Sequence, residues 1–292
     1  MNQAEIKDMV TGLIMAELEQ GNAPWRKGWA TDGYMPTSLQ TGKPYQGINN
    51  LLLSIAGLEY SRPLWITFNQ AKKLGGSVKK GEKATKVVFM SRIDKKVPAG
   101  DPAKSFFMYK LDSVFNLDQT EGVELPSKYL DTREPVTPLE GINAIWEGYA
   151  NRPTLYYREQ AGAFYSPSAD SITLPALKQF DSAGEHAYTF AHEMIHSTGH
   201  ESRVNRWKDS ADKPSAFGCE SYAKEELVAE LGSCMLLSTA GIEFDLPNSG
   251  AYVKNWLTAL KNDTSLIFKA SAKAQKAVAC ITGAEVKEEV SA

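Results

Sequence analysis

The string His192-Glu193-Met194-Ile195-His196 constrains this chain more than any other feature. Two histidines four residues apart face one cation only if the backbone between them is helical, because four residues make about one turn. A fold that uses the pair must supply a helix here and a further ligand from another element. With 4 His and 22 Glu in 292 residues, composition alone yields such a string about 0.004 times. The flanks agree with a helix. Ser182 and Glu185 have capping-box spacing, Ala187, Phe190, Ala191, Met194 and Ile195 supply an apolar face, and Gly199 can end the helix. Both imidazoles can then reach one ion at about 2.0–2.1 Å, and Glu193 is placed to take a proton from a metal-bound water.

A catalytic zinc usually takes three protein ligands and leaves one position for water. The longer pattern HExxHxxGxxH would need histidine at 202, where Ser202 stands. His200 is read as a second-layer or surface residue. The better source is the acidic run Glu225 to Glu230, on a helix that Ser221 can cap and Leu227, Leu231, Met235 and Leu236 can pack. Glu226 and Glu230 are one turn apart, so Glu226 is taken as the third ligand and Glu230 as the carboxylate that orients a ligand histidine. Glu225 projects about 100° away from them. Tyr222 and His200 are the candidate donors to a developing oxyanion. Two plainer alternatives remain: a charged helix with solvated histidines, and a metal site without turnover. A hairpin expected over 163–174, ended by Pro175, offers a strand that could hold a peptide in extended form beside the site.

Composition places the chain among ordinary globular proteins: 42% hydrophobic and 23% charged residues exclude wholly disordered, collagen-like and coiled-coil classes. Apolar runs such as Leu51 to Leu53 fall far short of the ~20 residues of a membrane span. The acidic first twenty residues do not read as a secretory signal. Three cysteines, Cys219, Cys234 and Cys280, without CxxC spacing, suggest a reducing compartment and no disulfide framework.

Charge is divided unevenly. Residues 21–110 carry 15 Lys/Arg against 5 Asp/Glu, whereas 111–292 carry 16 against 26. The split points to two domains, and Pro126, Pro135 and Pro138 place a linker at 126–138. With the local patterns, the reading is an α+β chain: 1–125 of mixed α/β character and 139–292 mostly helical with a small antiparallel sheet. Residues 3–20 read as an amphipathic helix stopped by Gly21, a short helix falls within 64–74, and strands fall near Val78, 87–90 and 106–115. The last residues, 285–292, are expected to fray.

The basic half interleaves cations with rings: Trp25-Arg26-Lys27-Gly28-Trp29, then Tyr34, Tyr45, Trp65 and Phe68, and Lys72, Lys73, Lys79, Lys80, Lys83, Lys86 and Arg92. Stacking rings beside a basic groove suit single-stranded nucleic acid. Trp65 and Phe68 are expected in the core and Trp25 and Trp29 at the surface. Trp25, Arg26, Lys27, Trp29, Tyr45, Lys72, Lys73, Lys79, Lys80 and Lys83 are the candidate DNA-binding residues.

Several strings resemble the ArdC-type antirestriction proteins of conjugative plasmids. In the first half these are Pro24-Trp25, Gly42-Lys43-Pro44-Tyr45-Gln46-Gly47-Ile48-Asn49, Trp65-Ile66-Thr67-Phe68-Asn69-Gln70-Ala71 and Val78-Lys79-Lys80-Gly81-Glu82-Lys83. In the second they are Tyr165-Ser166-Pro167-Ser168-Ala169-Asp170, His192 through His200 and Tyr222 through Leu231. The resemblance covers nearly the whole chain. It implies an N-terminal domain that binds single-stranded DNA and a C-terminal zincin-like metallopeptidase domain with two histidine ligands and one glutamate. It further implies that incoming plasmid DNA is shielded from the recipient's restriction enzymes during conjugation. The expected ion is Zn2+, with another divalent metal such as Mn2+ as an option. The expected setting is the bacterial cytoplasm, with passage into the recipient cell open and no membrane partner. A protein substrate is unspecified, and the rival reading is a cytosolic zinc peptidase whose basic half recruits one.

Overall fold

The computed structural model describes residues 2–21, 23, 25, 35–95, 104–126, 129, 136–208, 220–242 and 250–285. Helix α1 (Gln3–Glu19) begins at Asn2, whose side chain accepts from Glu5 N–H at 3.0 Å while the Glu5 carboxylate accepts from Asn2 N–H at 2.8 Å. This reciprocal cap satisfies two backbone donors. Ile6, Val10, Ile14 and Leu18 form its buried stripe, and Leu13 points outward at 58% exposure. Gly21 ends the helix at φ +82°, in the left-handed region that favours glycine.

Strand β1 (Thr37–Ser38), helix α2 (Gly47–Ala56), strand β2 (Leu64–Ile66), helix α3 (Phe68–Lys73) and strands β3 (Ser77–Val78), β4 (Thr85–Lys95), β5 (Lys104–Asn116) and β6 (Thr120–Glu121) complete the first half. The larger sheet has the order β1-β2-β5-β4, with β1 parallel to β2 and the other pairs antiparallel. Strands β3 and β6 pair separately. Helix α2 is tied to β4 by the buried Asn49 amide, which donates to the Val88 carbonyl and accepts from the Val88 N–H, both at 2.7 Å. The side chain thus stands in for a neighbouring strand at that residue.

The second half comprises α4 (Pro138–Gly148), β7 (Thr154–Arg158), β8 (Phe164–Ser166), β9 (Ser171–Pro175), α5 (Ala183–Ser197), α6 (Glu220–Thr239), α7 (Gly250–Asn262) and α8 (Leu266–Thr282). Its sheet has the order β7-β9-β8. The expected hairpin is β8 with β9, but the sheet is mixed rather than antiparallel, because β7 pairs with β9 in parallel. Every residue of β9 is buried, as suits a strand paired on both edges and covered by α5.

The architecture is α+β with small sheets. One buried cluster holds residues from both sides of the 126–138 stretch, including Ile6, Val10, Leu51, Ile142, Phe190, Leu227, Trp256 and Ala274. Helix α1 packs on α7, and α2 on α8. The Thr11 hydroxyl donates to the Thr264 carbonyl at 2.7 Å, and Gly47 N–H to Gln275 Oε1 at 3.2 Å. Residues 127, 128 and 130–135 of the proposed linker and 286–292 of the tail lie outside the described residues.

Candidate metal centre and basic face

Ser182 starts α5 by accepting from Glu185 N–H at 3.0 Å, while the Glu185 carboxylate accepts from Asp181 N–H at 2.8 Å, one residue before the reciprocal position a capping box uses. The helix buries Ala187, Phe190, Ala191, Met194 and Ile195 and turns His192 and His196 toward α6. Close approach of the two helices depends on Gly232. A Cβ there would lie 2.9 Å from two atoms of the Ile195 side chain. The result is a cluster of His192, His196 and Glu226. His192 Nε2 lies 3.1 Å from His196 Nε2, and the Glu226 oxygens lie 3.3 Å from His196 Nε2 and 3.4 Å from His192 Nε2. Four ligands at 2.0–2.1 Å in a tetrahedron stand about 3.3–3.4 Å apart. The two nitrogens and the Glu226 carboxylate, which turns a different oxygen to each ring, are thus gathered closely enough for one ion to reach all three residues, and two imidazoles with one carboxylate suit zinc.

Behind the cluster, His196 Nδ1 is 3.0 Å from Glu225 Oε1. The other oxygen of Glu225 accepts from Arg206 Nε at 3.0 Å and Trp207 Nε1 at 3.1 Å. The histidine-bound carboxylate at this nitrogen is thus Glu225, a residue the sequence reading set aside; Glu230 is buried one turn beyond Glu226. The 100° offset turns Glu225 to the outer ring nitrogen. Burial alone would lower the His196 pKa, but hydrogen bonds to Glu225 and Glu226 and the charges of Glu225 and Glu193 raise it to about 10. Burial would raise Glu225, yet the Arg206 charge and the bonds from His196 and Arg206 bring it down to about 2. Gly199 makes room for this arrangement, since a Cβ there would lie 2.3 Å from the Trp207 indole.

Two arginines that sequence reasoning missed fasten the end of α5. Arg206 donates to the Ile195 carbonyl at 2.8 Å and to Thr198 Oγ1. Arg203 donates to the Ser197 carbonyl at 2.8 Å, to the Asn151 carbonyl at 2.8 Å and to Asp170, and Tyr165 donates to Asp170 at 2.7 Å. Cations just past a helix end satisfy its orphan carbonyls and complement the dipole, and that spacing was the available signal.

Glu193 is 7% exposed and near enough to His196 to raise its pKa. His200 stands outside the cluster, with Nδ1 2.8 Å from Ser202 Oγ. Tyr222 lies in the first turn of α6, one turn before Glu226. That helix already includes Glu220, so Ser221 is within it rather than its cap.

In the basic half, Lys72, Lys73, Lys79, Lys80 and Lys83 are exposed and Tyr45 is half-buried. Arg26, Lys27, Trp29 and Tyr34 lie outside the described residues. Two expectations reverse. Trp25 is 4% exposed and packs edge-on against Trp256 with centroids 5.4 Å apart, so it belongs to the core. Phe68, expected in the core, is 46% exposed, while Trp65 is fully buried.

The fold and site define a zincin-like metallopeptidase domain behind a mixed α/β first half. Residues 150–273 match the family described as zincin-like metallopeptidase, and 4–115 match the N-terminal domain of anti-restriction factor ArdC. The chain belongs to the ArdC family of antirestriction proteins. It is similar to the metal-free crystal structure of antirestriction ArdC from plasmid R388, at 36% identity over 95% of this chain and 97% of that one, with a TM-score of 0.78. The Mn(II)-bound structure of that protein gives 35% identity over the same shares and a TM-score of 0.76. A curated relative, the DNA primase TraC of Escherichia coli, is 35% identical over 94% of this chain. The chain spans 27% of the length of that relative and 19% of a second TraC. Among the described residues no helix is long and apolar enough to cross a membrane.

Proposed function

We propose that this chain is an antirestriction protein that binds single-stranded DNA and protects incoming plasmid DNA from host restriction during conjugation, and that its second half is a metallopeptidase. The observation that carries the reading is the cluster of His192, His196 and Glu226, in a chain that aligns with ArdC over nearly all of both lengths. These three residues would hold Zn2+ or Mn2+. A divalent ion bound there supplies polarisation of a peptide carbonyl and acidifies water. Glu193 accepts and passes on the proton at its carboxylate. Tyr222, which shares a helix face with Glu226, and His200, just past the end of α5, are the candidate donors to the developing oxyanion. Strand β8 lies against α5 and at the edge of its sheet, so an extended peptide can pair along it.

The exposed lysines at 72, 73, 79, 80 and 83, with Arg26, Lys27 and Trp29, take the DNA backbone and bases. The test is transfer of an unmodified plasmid into a restricting recipient. Lys72→Ala with Lys73→Ala should lower both oligodeoxythymidine binding and plasmid survival. Survival that falls while DNA binding stays at the parent value would favour the rival in which the basic half recruits a protein.

A further inference from the structure

Phe68 opens α3 directly after the buried strand β2. Its backbone is held firmly. The Thr67 hydroxyl accepts from Gln70 N–H at 3.3 Å, and the Gln70 side chain accepts from Thr67 N–H at 2.8 Å. The Gln70 amide also donates to Gln40, and Leu39 N–H donates to the Trp65 carbonyl at 2.9 Å, which ties the helix to the turn after β1. Among the residues up to 126 whose side chains are described, Phe68 is the aromatic that the fold leaves exposed. Its neighbours are cationic. The Lys72 ammonium lies 5.2 Å from the ring centroid, Lys73 follows on the same helix, and the exposed Lys79 and Lys80 lie in the turn after β3, which packs on α3. Of the nearby acids, Glu82 accepts from Gln119 at 2.9 Å and Glu121 from Ser77 at 3.0 Å.

We propose that Phe68 is the ring on which a base of single-stranded nucleic acid stacks, with Lys72 and Lys73 taking the adjoining phosphates. The assignment rests on the single-strand reading above and names its contact point. An exposed phenyl beside lysines suits an unpaired base, whose apolar face and flanking charge complement it. A paired base cannot offer that face.

The experiment measures fluorescein-labelled oligodeoxythymidine binding to the full chain by anisotropy across a salt series, with a duplex of equal length as comparison. Phe68→Ala should weaken single-strand binding about 5- to 150-fold, with an unchanged salt slope. Phe68→Tyr should restore it. Lys72→Ala with Lys73→Ala should instead reduce the slope by about 0.7 per lysine. Phe68→Leu keeps the apolar volume without the ring, so a loss there in a protein with the parent melting temperature isolates stacking. If the parent binds and Phe68→Ala binds equally well, or single strand and duplex weaken alike, the assignment is overturned while the single-strand reading stands. A parent chain that does not bind the oligonucleotide overturns both.

Discussion

Glu225 and Arg206 form a buried ion pair immediately behind the His196 ring. One Glu225 oxygen accepts from Arg206 Nε at 3.0 Å, and the other is 3.0 Å from His196 Nδ1. Arg206 also holds the last carbonyls of α5. One guanidinium therefore fixes both the helix that carries the histidines and the carboxylate that orients one of them.

Loss of that carboxylate should be felt at the metal. Glu225→Gln keeps the shape but removes the charge from His196 Nδ1. Metal affinity, measured by competition with a chromophoric chelator, should fall about 10–100-fold. Parent affinity in a folded variant would show that His196 needs no such partner.

Metal binding should also be visible as stability. Zinc at about 100 times its Kd should raise the unfolding free energy by about 2.7 kcal/mol, and a chelator should reverse the gain. His192→Ala should abolish the effect in thermal melts. Elemental analysis that finds the variant fully loaded would remove His192 from the ligand set.

Glu193→Gln separates chemistry from binding. The variant should retain metal and oligodeoxythymidine binding and lose cleavage of a fluorescent casein probe, if the parent cleaves it. Parent-rate cleavage by the loaded variant would exclude Glu193 as the base.

Trp25→Ala should act through folding. Removal of a buried indole packed on Trp256 should cost about 3–5 kcal/mol in urea unfolding. A stable variant with weakened DNA binding alone would contradict the burial.

Acid should loosen the strap between β9 and the end of α5. Burial by itself would raise the Asp170 pKa, but hydrogen bonds from Arg203 and Tyr165 and the Arg203 charge hold it below 3.8. A depressed folded pKa means that this stabilisation is complete above pH 3.8 and lost as pH falls through the lower folded value. Urea midpoints from pH 6 down to pH 2.5 should therefore decline less steeply for Asp170→Asn, which starts from a lower value. Parallel declines would leave Asp170 without a part in acid unfolding.

The helix that carries the paired histidines was legible because its cap, apolar stripe and histidine spacing are all local. Glu226 was singled out from the acidic run of a second helix, and the structure brings its carboxylate to both histidines. Glu225 was not legible, because an angular offset says where a side chain points and not what meets it; its partners Arg206 and Trp207 come from a loop. Trp25 is covered by Trp256, a residue from the other half of the chain, so local pattern gave no warning. Phe68 was misplaced because the run Leu64-Trp65-Ile66 is buried throughout and the fold turns outward one residue later, at Thr67. Strand β7 escaped notice because its residues are mostly exposed and show no apolar alternation.

The bond from Thr11 to Thr264 joins residues 253 positions apart. Helix α1 is made well before α7, the helix it packs on. At about 5–20 residues per second, its apolar face waits roughly 13–50 s for that partner during synthesis. Ring closure over so long a loop also has to precede the contacts that reward it, which slows refolding from denaturant. Helix α1 thus lacks its α7 surface until some 253 further residues have been made.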